Sequence, residues 1–375
     1  MPSAEALVRR CVRPEIQAMS AYAVADAQGQ VKLDAMENPY PLPAELQPAL
    51  GQRLAALALN RYPAAATLRQ LKQVIARHDL LPDADHLVLG NGSDELIALL
   101  CQLMAQPGAV VMAPAPSFVM YEVSSKLAGA EFVPVPLQAD FSLGLKAMLQ
   151  AIEQYRPSLV FLAYPNNPTG NRFDDAAIEA VVRATDGLVV VDEAYAPFAD
   201  GASWMGRIGQ YPNLAVMRTC SKWGLAGARI GYLAASPVWV AEIDKIRPPY
   251  NISVLDAETA LFAFEHWSTF AGQTAAIRRE RDNLRVRLEA MRAADGLETV
   301  FDSSANFILV RLAGADGSRG HRVAALMREA GVLIKDAGKM HPLLANCLRL
   351  TVGTPDENRA MLAALAAALQ AVPAG

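Results

Sequence analysis

Short apolar runs of four or five residues recur through the middle of the chain. They alternate with stretches whose apolar residues return every three or four positions. The runs at 86–89, 109–112, 131–135, 159–162, 188–191 and 215–218 read as strands. Between them, Leu68, Leu71, Val74 and Ile75 mark a helix over 64–78, a strongly apolar helix runs up to Met104, and 176–184 is helical. Strands buried on both faces read as unbroken apolar runs, so the alternation predicts an α/β fold: a mostly parallel central sheet sandwiched by helices. From about Leu255 the pattern changes to a long charge-laced helix over 271–294 and a smaller α+β unit. That unit has strands at 306–311 and 347–352 and an Ala/Leu-rich helix after Asp356. The first 38 residues have little sustained periodicity, and Pro39, Pro41, Pro43 and Pro48 disfavour a long helix after them. The expected organisation is an arm over 1–38 that contributes to the small domain, a large domain over 39–255, and a small C-terminal domain over 256–375.

Composition narrows the class. A chain of 375 residues exceeds what one core usually organises, and 53% hydrophobic against 19% charged residues is a globular balance. The formal net charge of -4 gives no electrostatic case for a nucleic-acid partner. Cys11, Cys101, Cys220 and Cys347 are far apart with no CxxC, and the five histidines form no HExxH, so no metal site is expected. No apolar run approaches the roughly 18–20 residues that cross a bilayer, and Glu5, Arg9 and Arg10 interrupt any signal-peptide core. A soluble cytoplasmic enzyme without membrane partners is expected.

Four motifs fall at predicted strand ends, where such sheets place their ligands. Gly90-Asn91-Gly92-Ser93-Asp94 joins a strand to a helix, and the free N–H groups and positive dipole of a helix start suit a phosphate. The same residues also make an ordinary tight turn with a Ser or Asp cap. Tyr164-Pro165-Asn166-Asn167-Pro168-Thr169-Gly170 holds an Asn pair in a proline-fixed loop, which is also a common turn composition. Val189-Val190-Val191-Asp192-Glu193-Ala194-Tyr195 ends a buried strand on a carboxylate, which is costly unless something cationic meets it. Thr219-Cys220-Ser221-Lys222-Trp223-Gly224, followed by Arg229, sets a lysine among small and apolar residues, where it can lose its charge and act as a nucleophile. Each has a plainer explanation by itself. Together they supply a phosphate cradle, a donor to a ring oxygen, a counter-ion for a ring nitrogen and a reactive amine, which are the needs of pyridoxal phosphate.

With Glu37-Asn38-Pro39, Asn60-Arg61-Tyr62-Pro63 and Cys347-Leu348-Arg349-Leu350-Thr351-Val352-Gly353, these motifs make the chain resemble the class I/II aminotransferases of the fold-type I superfamily. The resemblance runs from about Arg13 to the last helix and is greatest to the branch acting on histidinol phosphate. It implies a large pyridoxal-phosphate domain, a small domain and a homodimer. Lys222 would bind the cofactor covalently and then move the proton, Asp192 would face the ring nitrogen, and Tyr195 and Asn167 would bond the ring oxygen. Phe118 would stack on the ring. Gly92, Ser93, Asp94, Thr219, Ser221 and Arg229 would cradle its phosphate, with Tyr62 reaching in from the other subunit.

Arg349 would grip the anionic end of both histidinol phosphate and 2-oxoglutarate/glutamate. Lys335 stands where the family often has a second arginine, and Tyr22 and Asn38 would line the pocket. An aromatic amino-acid aminotransferase, or a lyase like threonine-phosphate decarboxylase, are the alternatives. A ligand-sensing regulator is disfavoured because the arm is short for a winged helix.

Overall fold

The computed structural model describes residues 1–21, 25–201, 203–314 and 317–373, with backbone alone for 293–295. Among the described residues the strands are β1 (Val31–Leu33), β2 (Leu87–Asn91), β3 (Val110–Ala115), β4 (Glu131–Pro136), β5 (Leu159–Ala163), β6 (Leu188–Asp192), β7 (Leu214–Thr219), β8 (Ile230–Ala234), β9 (Leu297–Val300), β10 (Phe307–Leu312), β11 (Val332–Asp336) and β12 (Cys347–Thr351). The larger sheet has the order β2-β8-β7-β6-β5-β3-β4, and all its strands run one way except β8, antiparallel to both neighbours.

Two-sided burial explains the unbroken apolar runs. Val189 and Val191 point into a core with Ile178 and Val181 of the helix Asp175–Ala184. Val190 points the other way, against Leu96, Ile97 and Leu100 of the helix Gly92–Leu103. Each such side chain contributes about 1.5–3 kcal/mol by leaving water. The six expected strands of this sheet are present, with ends that differ slightly from the expected bounds. Strand β8 was not anticipated, because its Ile-Gly-Tyr-Leu-Ala run follows the glycine-rich loop and reads as its continuation.

The smaller sheet, β1-β11-β12-β10-β9, is antiparallel apart from the β1–β11 pair. Its strands β1 and β9 are too short to stand out in the sequence, and β11 (Val-Leu-Ile-Lys-Asp) is not distinguished from the end of the helix before it. Two short helices, Ala4–Cys11 and Pro14–Gln17, replace the patternless arm: Ser3 accepts a hydrogen bond from the Ala6 amide and starts the first, which buries no residue. The helix Gln47–Ala55 carries Pro48 in its first turn, where a missing N–H does no harm. The 29-residue helix Trp267–Asp295 ties the two sheets together. Its buried Arg281 donates to Phe198 O at 2.9 Å, just beyond β6, and to Ala305 O at 3.4 Å, just before β10.

Candidate active site

The carboxyl ends of β2, β5, β6 and β7 converge on a cavity of about 260 Å³, roofed by Ala35, Met36 and Glu37 where the chain leaves β1. Strand β7 ends at Thr219, and 221–225 form a single wide turn. The turn needs Gly224, whose φ of +146° is closed to side-chain-bearing residues and where a Cβ would lie 2.8 Å from the Phe270 ring. It delivers Lys222 into the cavity, with Nζ 3.2 Å from Ala35 O and 5.9 Å from the centre of the Tyr195 ring. Burial, and next the Arg349 guanidinium, push the Lys222 amine down to about 8. It is therefore uncharged at neutral pH in a far larger share of molecules than a lysine in solvent.

Asp192 ends β6, buried, opposite Ala163 of β5 and Met217 of β7. Its Oδ2 accepts from the Tyr121 hydroxyl at 2.6 Å and its Oδ1 from the Ala194 amide at 3.1 Å. Burial outweighs both bonds and pushes the carboxyl up to about 6. Tyr195 lines the same cavity and packs edge-on against Phe307 at 5.2 Å, with burial raising its phenol. Phe118 lines the cavity beyond β3.

At the start of the helix Gly92–Leu103, Ser93 and Asp94 face the cavity beside Thr219, Ser221 and Arg229. Thr219 Oγ1 lies 2.9 Å from Ser221 Oγ, and Arg229 is 3.5 Å from the Asp94 carboxylate. Gly92 shapes the helix start without offering its own N–H to the cavity. Its amide is committed to Arg229 O at 2.6 Å. What it provides is room: at φ +75° a Cβ there would sit 2.5 Å from an Arg229 guanidinium nitrogen.

Asn167, in the loop after β5, lines the cavity and accepts from Arg349 at 2.6 Å, so the donor left to it is its amide nitrogen. Buried Arg349 also donates to Asp34 O at 2.7 Å and lies over the Phe307 ring. Lys335 is its cross-strand partner on β11, with an amine lowered by burial and by Arg349. Neither lines the cavity itself. Asn38 corrects an expectation: it does not line the pocket, because its amide donates to Trp223 O and Gln273 Oε1, both at 2.9 Å, and its oxygen accepts from the Tyr40 amide. It fastens the arm to the lysine loop, and its neighbours Met36 and Glu37 face the cavity instead. Tyr62 is 75% exposed, stacked on Tyr250 at 4.2 Å and outside the cavity of its own chain. Tyr22 lies outside the described residues.

Two features escaped the sequence reading. Tyr121, the partner of Asp192, lies one helical turn beyond Phe118, and that i, i+3 pair of aromatics was the available signal. Behind the cavity, Arg218 of β7 pairs with buried Glu193 at 2.7 Å and buried Asp79 at 2.6 Å. The cation that a carboxylate at the end of β6 requires thus serves Glu193, while Asp192 keeps neutral donors.

A mostly parallel sheet with a second, smaller sheet, and a lysine and a buried aspartate facing one cavity at its strand ends, define a fold-type I transferase site. The chain belongs to the class I and II aminotransferases, whose family model matches residues 28–365. It is 51% identical to histidinol-phosphate aminotransferase 1 of Ralstonia nicotianae, covering 99% of this chain and 98% of that protein. To the histidinol-phosphate aminotransferase of Methylibium petroleiphilum it is 54% identical, covering 95% and 94%. Among solved structures, histidinol-phosphate aminotransferase from Sinorhizobium meliloti in complex with pyridoxal-5'-phosphate superposes with a TM-score of 0.84 at 26% identity, over 97% of this chain and 98% of that one.

Proposed function

We infer that this chain is a pyridoxal-phosphate-dependent aminotransferase of histidine biosynthesis. It moves an amino group reversibly from L-histidinol phosphate to 2-oxoglutarate, giving imidazole-acetol phosphate and L-glutamate. The observation that carries the reading is a lysine amine and a buried carboxylate facing one cavity, in a chain about half identical to histidinol-phosphate aminotransferases over nearly its whole length. Those relatives favour this substrate over an aromatic amino acid or a phosphothreonine-like compound.

The residues fit the cofactor. A buried carboxylate held by neutral donors suits a cationic ring nitrogen. The glycine-opened helix start, the hydroxyls of Thr219 and Ser221, and Arg229 suit a phosphate. When bound, pyridoxal phosphate supplies a carbonyl that takes up the amino group and a ring that accepts the electron pair left when the Cα proton departs. Lys222 Nζ, uncharged in a useful fraction of molecules near neutrality, serves as the base that removes and returns that proton. Asp192, Tyr195, Asn167 and Phe118 line the cavity, where Asp192 would face the ring nitrogen, Tyr195 and the Asn167 amide the ring oxygen, and Phe118 would cover one face.

Arg349 stands just behind the cavity wall, bonded to cavity-lining Asn167, and would bind the anionic end of either substrate from there: a phosphate and a carboxylate both match its planar fork. Lys335 adds charge beside it. The Arg349→Gln variant is expected to raise KM roughly thirtyfold or more for histidinol phosphate and for 2-oxoglutarate alike. Steady-state kinetics with each substrate in turn check this, and a rise confined to one of them would remove the shared role.

A cytoplasmic homodimer with shared sites extends the reading. Exposed, stacked Tyr62 and Tyr250 support the interface, and four free cysteines suit a reducing compartment.

A further inference from the structure

Tyr121 stands on the helix Met120–Ala128 that follows β3, fully buried. Three contacts fix it. Its ring stacks on Phe161 of β5 at 4.5 Å with the planes 2° apart, and it meets Phe118 edge-on at 5.7 Å. Its hydroxyl donates to Asp192 Oδ2 at 2.6 Å, within the range of charge-assisted bonds. One side chain thus touches both the residue that covers the cavity's aromatic face and the carboxylate at its end. A phenylalanine would fill the same space, so packing alone does not call for the hydroxyl.

Resting on the cofactor assignment above, we propose that Tyr121 is a positioning residue: its hydroxyl holds the Asp192 carboxylate charged and in one orientation towards the ring nitrogen, while its ring sets the angle of Phe118. Burial works against charge on Asp192, and so do the nearby carboxylates of Asp94, from the helix start, and of Glu193, next in the chain. Tyr195 lines the same cavity, as does Lys222 across it. The two hydrogen bonds that favour the charged form come from the Tyr121 hydroxyl and the Ala194 amide. The amide belongs to the backbone of the same turn and binds the other oxygen. Tyr121 is therefore the side chain that sets how far towards acid pH the carboxylate stays ionised. Its hydroxyl is itself pushed well above the usual tyrosine range by burial, so it remains a donor throughout the working range.

The test is the pH dependence of pyridoxal-phosphate affinity, followed by absorbance of the bound cofactor, in the full-length protein and its Tyr121→Phe variant. Losing one charge-assisted bond moves the acid limb of affinity up by about one pH unit. Affinity at pH 6 then falls about fivefold and at pH 8.5 stays nearly unchanged. In an Asp192→Asn background the same Tyr121→Phe change leaves the limb where it is. With 3-fluorotyrosine at position 121, a stronger donor of nearly the same shape, the limb moves towards acid. Equal weakening at both pH values, or a limb that shifts equally without Asp192, makes Tyr121 a packing residue and overturns the proposal. If the unaltered protein takes up no pyridoxal phosphate at Lys222, the assignment of the cofactor fails first, and the two failures are distinguished.

Discussion

The Lys222→Ala variant is expected to lose kcat by about 10⁴-fold or more, because both the amine that bonds the cofactor and the base that moves the Cα proton go with it. The fold should survive: Lys222 is held by a single hydrogen bond to Ala35 O, and Gly224 and Asn38 shape its loop independently. A readout separate from turnover is borohydride reduction followed by mass spectrometry, which should fix the cofactor to position 222 in the unaltered chain and leave it unattached in the variant. Mixing Lys222→Ala with Tyr62→Phe subunits tests the shared site. Activity above that of either variant alone is expected, since each heterodimer then has one site with an intact lysine and an intact tyrosine. Near-normal turnover by Lys222→Ala would remove the assignment of the lysine.

The second large effect is Asp192→Asn, expected to lower kcat about 10²- to 10³-fold, since a neutral amide cannot hold a cationic ring nitrogen. The same change should stabilise the cofactor-free fold. The Asp192 carboxyl is raised to about 6 by burial, so the folded state binds more protons than the unfolded one between about pH 4 and pH 6. Stability falls as pH rises through that window, and the whole penalty, up to roughly 3 kcal/mol, is present above it. Asparagine removes it. Thermal melts at pH 7.5 should therefore move upward while activity collapses, the trade expected where a site stores an unfavourable charge. A variant both less stable and inactive would make Asp192 a structural residue.

What the sequence made legible follows from which constraints are local. Inner strands of the large sheet such as β3, β5 and β6 were readable because burial on both faces leaves no polar position to break runs such as Leu188–Asp192 before the final carboxylate. Lys222, Asp192, Tyr195, Ser93 and Arg229 were readable because each sits next to a strand end within a few residues of other chemistry-bearing groups. Strand β8 was hidden because Gly231, where a Cβ would lie 2.5 Å from the Gly92 carbonyl carbon, interrupts its apolar run just after the glycine-rich loop. Asn38 was misread because its partners, Trp223 and Gln273, lie 185 and 235 residues away. Tyr121 and Asp192 are 71 residues apart, and the Arg218–Asp79 pair 139 apart. Such pairings depend on how the sheet and its helices meet; the Phe118/Tyr121 spacing could mark the residue but not its partner.

The central claim is the substrate, and a half-reaction tests it most directly. Purified protein loaded with pyridoxal phosphate is titrated separately with L-histidinol phosphate and with L-phenylalanine, and the cofactor's absorbance reports transfer of the amino group. Arg349 and Lys335, side by side on neighbouring strands, favour a phosphate dianion over the singly charged carboxylate of phenylalanine, which predicts half-conversion at a histidinol phosphate concentration at least about a hundredfold lower. Equal or reversed preference would contradict it and make the protein an aromatic amino-acid aminotransferase.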